Sequence, residues 1–167
     1  MLSTHLAAQY RDDADVSVVG HHLYPVESDN KLLQTSDLSA VFGCPHVGHD
    51  VFPQVVFDVL VPGWRYSEMR DKFAFYERHG AEEYYILYPE FPAHAEGYLR
   101  SEGKFVRVEE IDGFVSPRLG VRFSLARGQL AVFGSDGQRM RTAAEIAAER
   151  ERLAAKLREL GVDPDTV

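Results

Sequence analysis

The order of apolar and polar residues predicts strands and a helix in the first half of the chain. Four runs are typical of strands: Val16–Tyr24, Asp37–Phe42, Gln54–Val61 and Glu82–Tyr88. Between the last two runs, from Arg65 to His79, the apolar residues take on helical spacing, and Gly80 follows as a C-cap residue. A strand, a helix and a strand in succession predict a crossover unit of an α/β domain.

The second half begins with two hairpin patterns. Glu96–Arg100 and Lys104–Glu109 alternate in polarity on either side of a short Gly-containing turn, and Val121–Leu125 and Gln129–Phe133 do the same. Since one face of each run is polar, we expect antiparallel additions rather than buried parallel strands. The sequence therefore predicts an α/β domain with added antiparallel hairpins.

A helix is predicted from Thr142 to Leu160, with Thr142 and Glu145 as a capping box. Its apolar residues recur at three- and four-residue spacing and are Ile146, Leu153, Leu157 and Leu160. Arg150 occupies the position of this pattern between Ile146 and Leu153. Such a narrow stripe either packs on the body of the protein or pairs with a second copy in a homodimer. We therefore divide the chain into a domain at 1–141 and a C-terminal helix and tail at 142–167.

Composition and charge limit the expected location of the protein and the partners it can bind. The chain of 167 residues has one cysteine, so no disulfide forms within it, and we expect a cytoplasmic protein. No apolar run is long enough to span a membrane, and no signal peptide is predicted. The net charge of −8 opposes binding to nucleic acid through the global field, which leaves a local basic patch or a metal ion as the means of attraction.

Asp58 stands in the middle of an apolar run, where a carboxylate is costly unless it has a partner. With Asp37 on a neighbouring strand it would offer hard oxygen ligands to Mg²⁺ or Mn²⁺. Lys72 lies on the following helix, with Glu68 and Tyr76 one turn to either side on the same face. On spacing alone, a structural ion pair between Asp58 and Lys72 explains the same residues.

Four segments around these residues extend this pattern. They are Ser36-Asp37, then Pro53-Gln-Val-Val-Phe-Asp58-Val-Leu-Val-Pro62, and then Glu68-Met-Arg-Asp-Lys72-Phe-Ala-Phe-Tyr76 with Gly80-Ala-Glu-Glu-Tyr-Tyr85. From about Val18 to Gly161 the chain resembles the Uma-type restriction endonuclease family, a bacterial group in the PD-(D/E)XK nuclease superfamily. The resemblance implies a restriction-endonuclease-like fold, with a mixed β-sheet flanked by helices, and metal-dependent cleavage of DNA.

By the same resemblance, Asp37 and Asp58 are the expected metal ligands and Lys72 the catalytic lysine. Glu68 and Tyr76 are expected to support them. Trp64 and Arg65, in the loop beside the expected cleft, are candidate substrate contacts. The alternative function is that of a binding or assembly module on the same fold, with a depleted site.

A second candidate metal site is weaker. Cys44, His46 and His49, with His21 or His22, have the residue types of a zinc site, but the spacing is not that of a zinc motif. Incidental histidines in a polar loop explain the pattern better.

Overall fold

The computed structural model describes residues 6–7, 9–13, 15–24, 34–43, 52–60, 63, 66–141 and 143–163. Its strands are β1 (Val16–Tyr24), β2 (Gln34–Phe42), β3 (Val55–Val59), β4 (Glu83–Tyr88), β5 (His94–Ser101), β6 (Lys104–Arg107), β7 (Arg122–Ser124) and β8 (Ala131–Phe133). Its helices are α1 (Tyr66–Arg78) and α2 (Ala143–Glu159), with a 3-10 turn at Ala126–Gly128.

Six strands form one mixed sheet in the order β1-β2-β3-β4-β5-β6. β3 and β4 are parallel because α1 carries the chain back between them, and the other neighbours are antiparallel. β7 and β8 form a separate two-stranded sheet. The architecture confirms the predicted mixed α/β fold with its crossover unit, its hairpins and a C-terminal helix.

Side chains alternate across the central strands, so each strand contributes to two cores. The core on the side of the small sheet includes Val55, Phe57, Tyr85, Leu87, Phe123 and Val132. The core beneath α1 includes Val56, Leu60, Phe75, Tyr76, Tyr84 and Ile86. Asp58 lies between Val56 and Leu60 in this alternation, and its side chain therefore faces the core beneath α1.

The observed boundaries differ from the predicted ones where backbone pairing outweighs the apolar pattern. β2 begins at Gln34 rather than at Asp37, because its polar first residues pair with β1 through Tyr24 and His22. Asp37 therefore lies inside a strand rather than at its head. β3 ends at Val59, two residues before the predicted end.

The two helices are amphipathic but differ in how their apolar sides are covered. α1 buries Phe75 and Tyr76 against the sheet, whereas α2 leaves Ile146 and Leu153 exposed. In the part of the chain that the structure describes, neither helix is long and apolar enough to cross a membrane.

Gly97 on β5 occupies a place where a side chain would enter the first core. A Cβ at this position would lie 2.8 Å from Ile111 Cδ1 and 3.2 Å from Tyr85 Cε1. We expect Gly97→Ala to lower the free energy of unfolding by about 1–3 kcal/mol, because a close-packed core does not make room without strain.

Ile111→Val removes the closest atom, so the variant carrying both changes should be more stable than the sum of the two single effects predicts. Urea denaturation of the four proteins measures this difference. Strictly additive effects would contradict the predicted clash.

Candidate active site

Asp58 on β3 is buried completely, with a relative exposure of 0%. The Nζ of Lys72 donates a hydrogen bond to its Oδ1 at 2.7 Å, and the hydroxyl of Tyr84 donates to its Oδ2 at 2.7 Å. Each carboxylate oxygen thus has a strong donor. The cost of burying the charge is offset by one cation and one neutral hydroxyl.

Lys72 reaches this carboxylate from α1, which crosses above β3 and β4. Its residue exposure is 4%, so the aliphatic stem is covered by the core beneath the helix. Tyr76, one turn later on the same face, is 1% exposed and packs at a tilt against the ring of Tyr84, with centroids 5.1 Å apart. Two of the three residues on the predicted helix face, Lys72 and Tyr76, therefore lie in the core that holds Asp58.

Asp37 and Asp58 occupy the place where β2 and β3 separate. The regular pairing of the two strands runs from Ala40–Val55 to Leu38–Phe57. Beyond it, the backbone N–H of Val59 donates to Asp37 Oδ2 at 2.7 Å, and the N–H of Asp37 donates weakly to Asp58 Oδ1 at 3.4 Å. The two carboxylates take the place of sheet hydrogen bonds at the point of separation.

The Asp37 carboxylate remains accessible from solvent, with 28% of the side chain exposed. Its Oδ1 lies 3.8 Å from Nδ1 of His21 on β1, whose side chain is largely exposed. His21 has a φ of 51°, which is unusual for a residue with a side chain. The sequence singled out His21 only as a weak candidate, whereas the structure places it beside Asp37.

The electrostatics of the cluster are set by burial. Desolvation raises the pKa of the Asp58 carboxyl, against the opposing effect of the Lys72 ammonium. Burial and the neighbouring Asp58 raise the pKa of Tyr84 well above its usual value, so its hydroxyl stays protonated and donates. The formal charge of Asp37, Asp58 and Lys72 together is −1.

The structure brings Asp37, Asp58 and Lys72 together, with Tyr76 packed beside them. Glu68, the other predicted supporting residue, is exposed on the first turn of α1 and does not join the buried cluster. Tyr84 was missed by the sequence reasoning. Tyr84 is two residues before Ile86 on β4, so the two side chains lie on the same face of the sheet. Ile86 pairs with Asp58 across β3 and β4, and this places Tyr84 on the face of Asp58.

Several other predicted residues lie outside the described residues. They are the candidate substrate contacts Trp64 and Arg65, and the zinc candidates Cys44, His46 and His49. Among the residues that are described, no group of three or more His, Cys, Asp or Glu side chains is arranged to hold a metal ion.

The donor set suits an Mg²⁺ or Mn²⁺ ion at Asp37 better than at Asp58. Mg²⁺ in proteins is often held by one or two carboxylates, with water and substrate phosphate completing its shell. Asp37 offers an accessible oxygen of this kind. Asp58 is sealed, and it can ligate an ion only if the hydrogen bond of Lys72 or Tyr84 is exchanged.

Comparisons with known proteins bear on the fold. No protein-family model and no curated protein matches the sequence. Solved structures do match, among them a crystal structure from Anabaena variabilis ATCC 29413, whose protein is described as a "putative nuclease belonging to DUF820". The fold is nuclease-like. The TM-score is 0.52 at 10% sequence identity, and the match covers 69% of this chain and 66%, just under two thirds, of that chain.

The burial of the Asp58–Lys72 pair leads to a prediction about the stability of the protein. Asp58→Asn and Lys72→Met each leave one buried charge without its partner, so each should lower the free energy of unfolding by about 3–5 kcal/mol. The variant with both changes removes both charges. Its loss in free energy of unfolding should be smaller than the sum of the two single losses by about 1–3 kcal/mol. Urea denaturation of the four proteins measures the coupling.

Lys104→Met is the matched control for this cycle. Lys104 pairs with Glu77 at 2.9 Å, but its side chain is 77% exposed. Its loss should therefore cost only about 0–1 kcal/mol. Equal costs for Lys72→Met and Lys104→Met would contradict the burial of the Asp58–Lys72 pair.

Proposed function

We propose that this protein is a nuclease that hydrolyses phosphodiester bonds in DNA and uses Mg²⁺ or Mn²⁺. The observation that carries the proposal is the convergence of Asp37, Asp58 and Lys72, from β2, β3 and α1, at one point of a nuclease-like fold. Two further observations support it. The sequence resembles the Uma-type family, and the structural neighbour from Anabaena is described as a "putative nuclease".

In this proposal Asp37 is the protein ligand that faces the substrate. A bound ion supplies a Lewis acid for a phosphoryl oxygen and a water of lowered pKa as the nucleophile. Asp37 suits this role because the N–H of Val59 anchors one of its oxygens at 2.7 Å and the side chain stays partly exposed. Asp58 accepts the N–H of Asp37 and so helps to fix the backbone that carries the ligand.

Lys72 acts beneath the surface. Its ammonium neutralises Asp58 and keeps that carboxylate in place, so that the negative charge near the substrate comes from Asp37. Glu68, exposed one turn before Lys72, is the proposed supporting carboxylate at the mouth of the site. Trp64 and Arg65, immediately before α1, remain the proposed contacts to DNA.

A binding or assembly module is the second candidate function, and one observation favours it. Asp58 has a strong donor on each oxygen and no exposed surface, as a structural ion pair requires. In that case Asp37 is a surface carboxylate, and the acidic chain has no need to attract DNA. The experiments below separate the two candidates.

Plasmid nicking tests the nuclease directly. The protein should nick supercoiled DNA with Mg²⁺ or Mn²⁺ and not with EDTA. Asp37→Asn should lower the rate by about 100-fold or more, because it removes the accessible ligand. Lys72→Met should also abolish cleavage, provided that its melting curve shows a folded protein.

Asp71→Asn is the matched control, since it makes the same chemical change one residue from Lys72 at a side chain that is 62% exposed. It should cleave at the wild-type rate. Cleavage that survives in Asp37→Asn would contradict the proposed site. A folded wild type that cleaves neither single- nor double-stranded DNA would favour the binding module.

Thermal stability tests the ion separately from cleavage. An ion that binds only the folded state adds about 2.7 kcal/mol to the free energy of unfolding at one hundred times its Kd. Mn²⁺ should therefore raise the Tm of the wild type and of Asp71→Asn, but not that of Asp37→Asn. Equal shifts in all three proteins would place the ion elsewhere.

A further inference from the structure

The apolar stripe of α2 faces solvent. Ile146 is 43% exposed, Leu153 is 52% exposed and Leu160, just after the helix, is 72% exposed. These three residues recur every seven positions, and Leu157 lies between the last two on the same side. A stripe of this length on a helix costs free energy in water unless it is covered.

Among the described residues, the two hydrophobic cores do not extend over this stripe. The two cores and the half-buried apolar residues packed against them draw on strands, loops and α1, and none of the described residues in these clusters belongs to α2. The start of α2 is tied to the body by surface ion pairs, from Arg139 to Glu145 and from Arg141 to Glu149. The two predicted alternatives, packing on the body and pairing with a second copy, both stay predictions for this helix.

We propose that α2 pairs with α2 of a second copy of this chain in an antiparallel two-helix interface. The net charge of the helix fits a self-pairing surface. Although the whole chain carries −8, the residues Ala143–Glu159 contain four acidic and four basic side chains. Two such helices do not repel each other through their net charge.

Arg150 decides the orientation. It occupies the place in the stripe between Ile146 and Leu153, so a parallel pair would set Arg150 against Arg150 of the second copy. In an antiparallel pair, Arg150 lies beside Leu153 of the second copy, and its long side chain can lead the charge out to solvent. Ile146 then lies opposite Leu157 of the second copy.

The residues that flank the stripe agree with the antiparallel arrangement. On one flank, Glu149 comes to face Lys156 of the second copy, and the two-fold axis repeats this attractive pair. On the other flank, Ala147 faces Ala154 of the second copy, which lets the helices approach closely. In a parallel pair, the same charged residues would face only Ala154 and Gly161.

This surface fits a second copy better than a lipid membrane. Helices that lie on membranes concentrate Lys and Arg on their polar face, whereas the polar side of α2 carries Glu145, Glu151 and Glu159 as well as its basic residues. The proposal does not depend on the nuclease function.

Sedimentation equilibrium of the full chain over a range of concentrations tests the proposal. The mass should rise from 18.8 kDa towards twice that value with concentration. Leu153→Lys should raise the Kd of the dimer by about 100-fold or more, since it places a second positive charge beside Arg150 of the second copy in two central layers. Ala155→Lys is the matched control: it adds the same charge on the outer side of the helix and should leave the Kd unchanged.

Charge reversal tests the orientation. Glu149→Lys and Lys156→Glu should each raise the Kd by about tenfold, because each creates two like-charge contacts. The variant with both reversals should return to within about threefold of the wild type, since the cross-copy pair is restored. The intrachain pair of Glu149 with Arg141 is not restored in it, which separates the interface from local helix stability.

A chain that stays monomeric at all concentrations would overturn the proposal, as would equal weakening by Leu153→Lys and Ala155→Lys. A dimer that survives Leu153→Lys would place the interface elsewhere. A dimer that weakens with Leu153→Lys but not with either charge reversal would overturn the antiparallel orientation.

Discussion

The ion pair between Asp58 and Lys72 is the interaction on which the position of α1 over the sheet depends. Each charge alone would cost several kcal/mol to remove from water, and the two offset this cost only while they face each other at 2.7 Å. The apolar contacts of Phe75 with the sheet are non-directional and tolerate small shifts. We infer that the buried pair, with Tyr84 as its third member, fixes the register of the helix on β3.

A second buried carboxylate, that of Glu83, shows that a carboxylate can be buried in this protein without a lysine as its partner. Glu83 is 2% exposed, and it accepts hydrogen bonds from the hydroxyl of Tyr85 at 2.8 Å, from the backbone N–H of Arg118 at 2.6 Å and from the hydroxyl of Ser116. This carboxylate is thus held mainly by neutral donors. A lysine at Asp58 is thus not needed for burial alone, and it lowers the net negative charge next to the accessible carboxylate of Asp37.

The pattern of apolar and polar residues predicted the strands, the helices and the faces of the helices. The apolar run around Asp58 predicted a carboxylate that needs a partner, and four-residue spacing on α1 placed Lys72 on one helix face with Glu68 and Tyr76. It did not predict how deeply Asp58 is sealed, because the donor Tyr84 comes from a strand whose register with β3 is set by the sheet and not by local pattern. For α2 it left two partners open, since periodicity shows which residues share a face and not what covers that face.

In the proposed nuclease, the charge of the cluster would let an acidic protein approach DNA. Lys72 neutralises Asp58 within the core, so the formal charge that reaches solvent is the single negative charge of Asp37. A divalent ion at Asp37 would change that formal charge from −1 to +1 and attract a phosphate locally against the net charge of −8. Were Lys72 absent, the same ion would only cancel two carboxylates. The buried lysine thus determines whether a bound ion makes the site attractive or merely neutral.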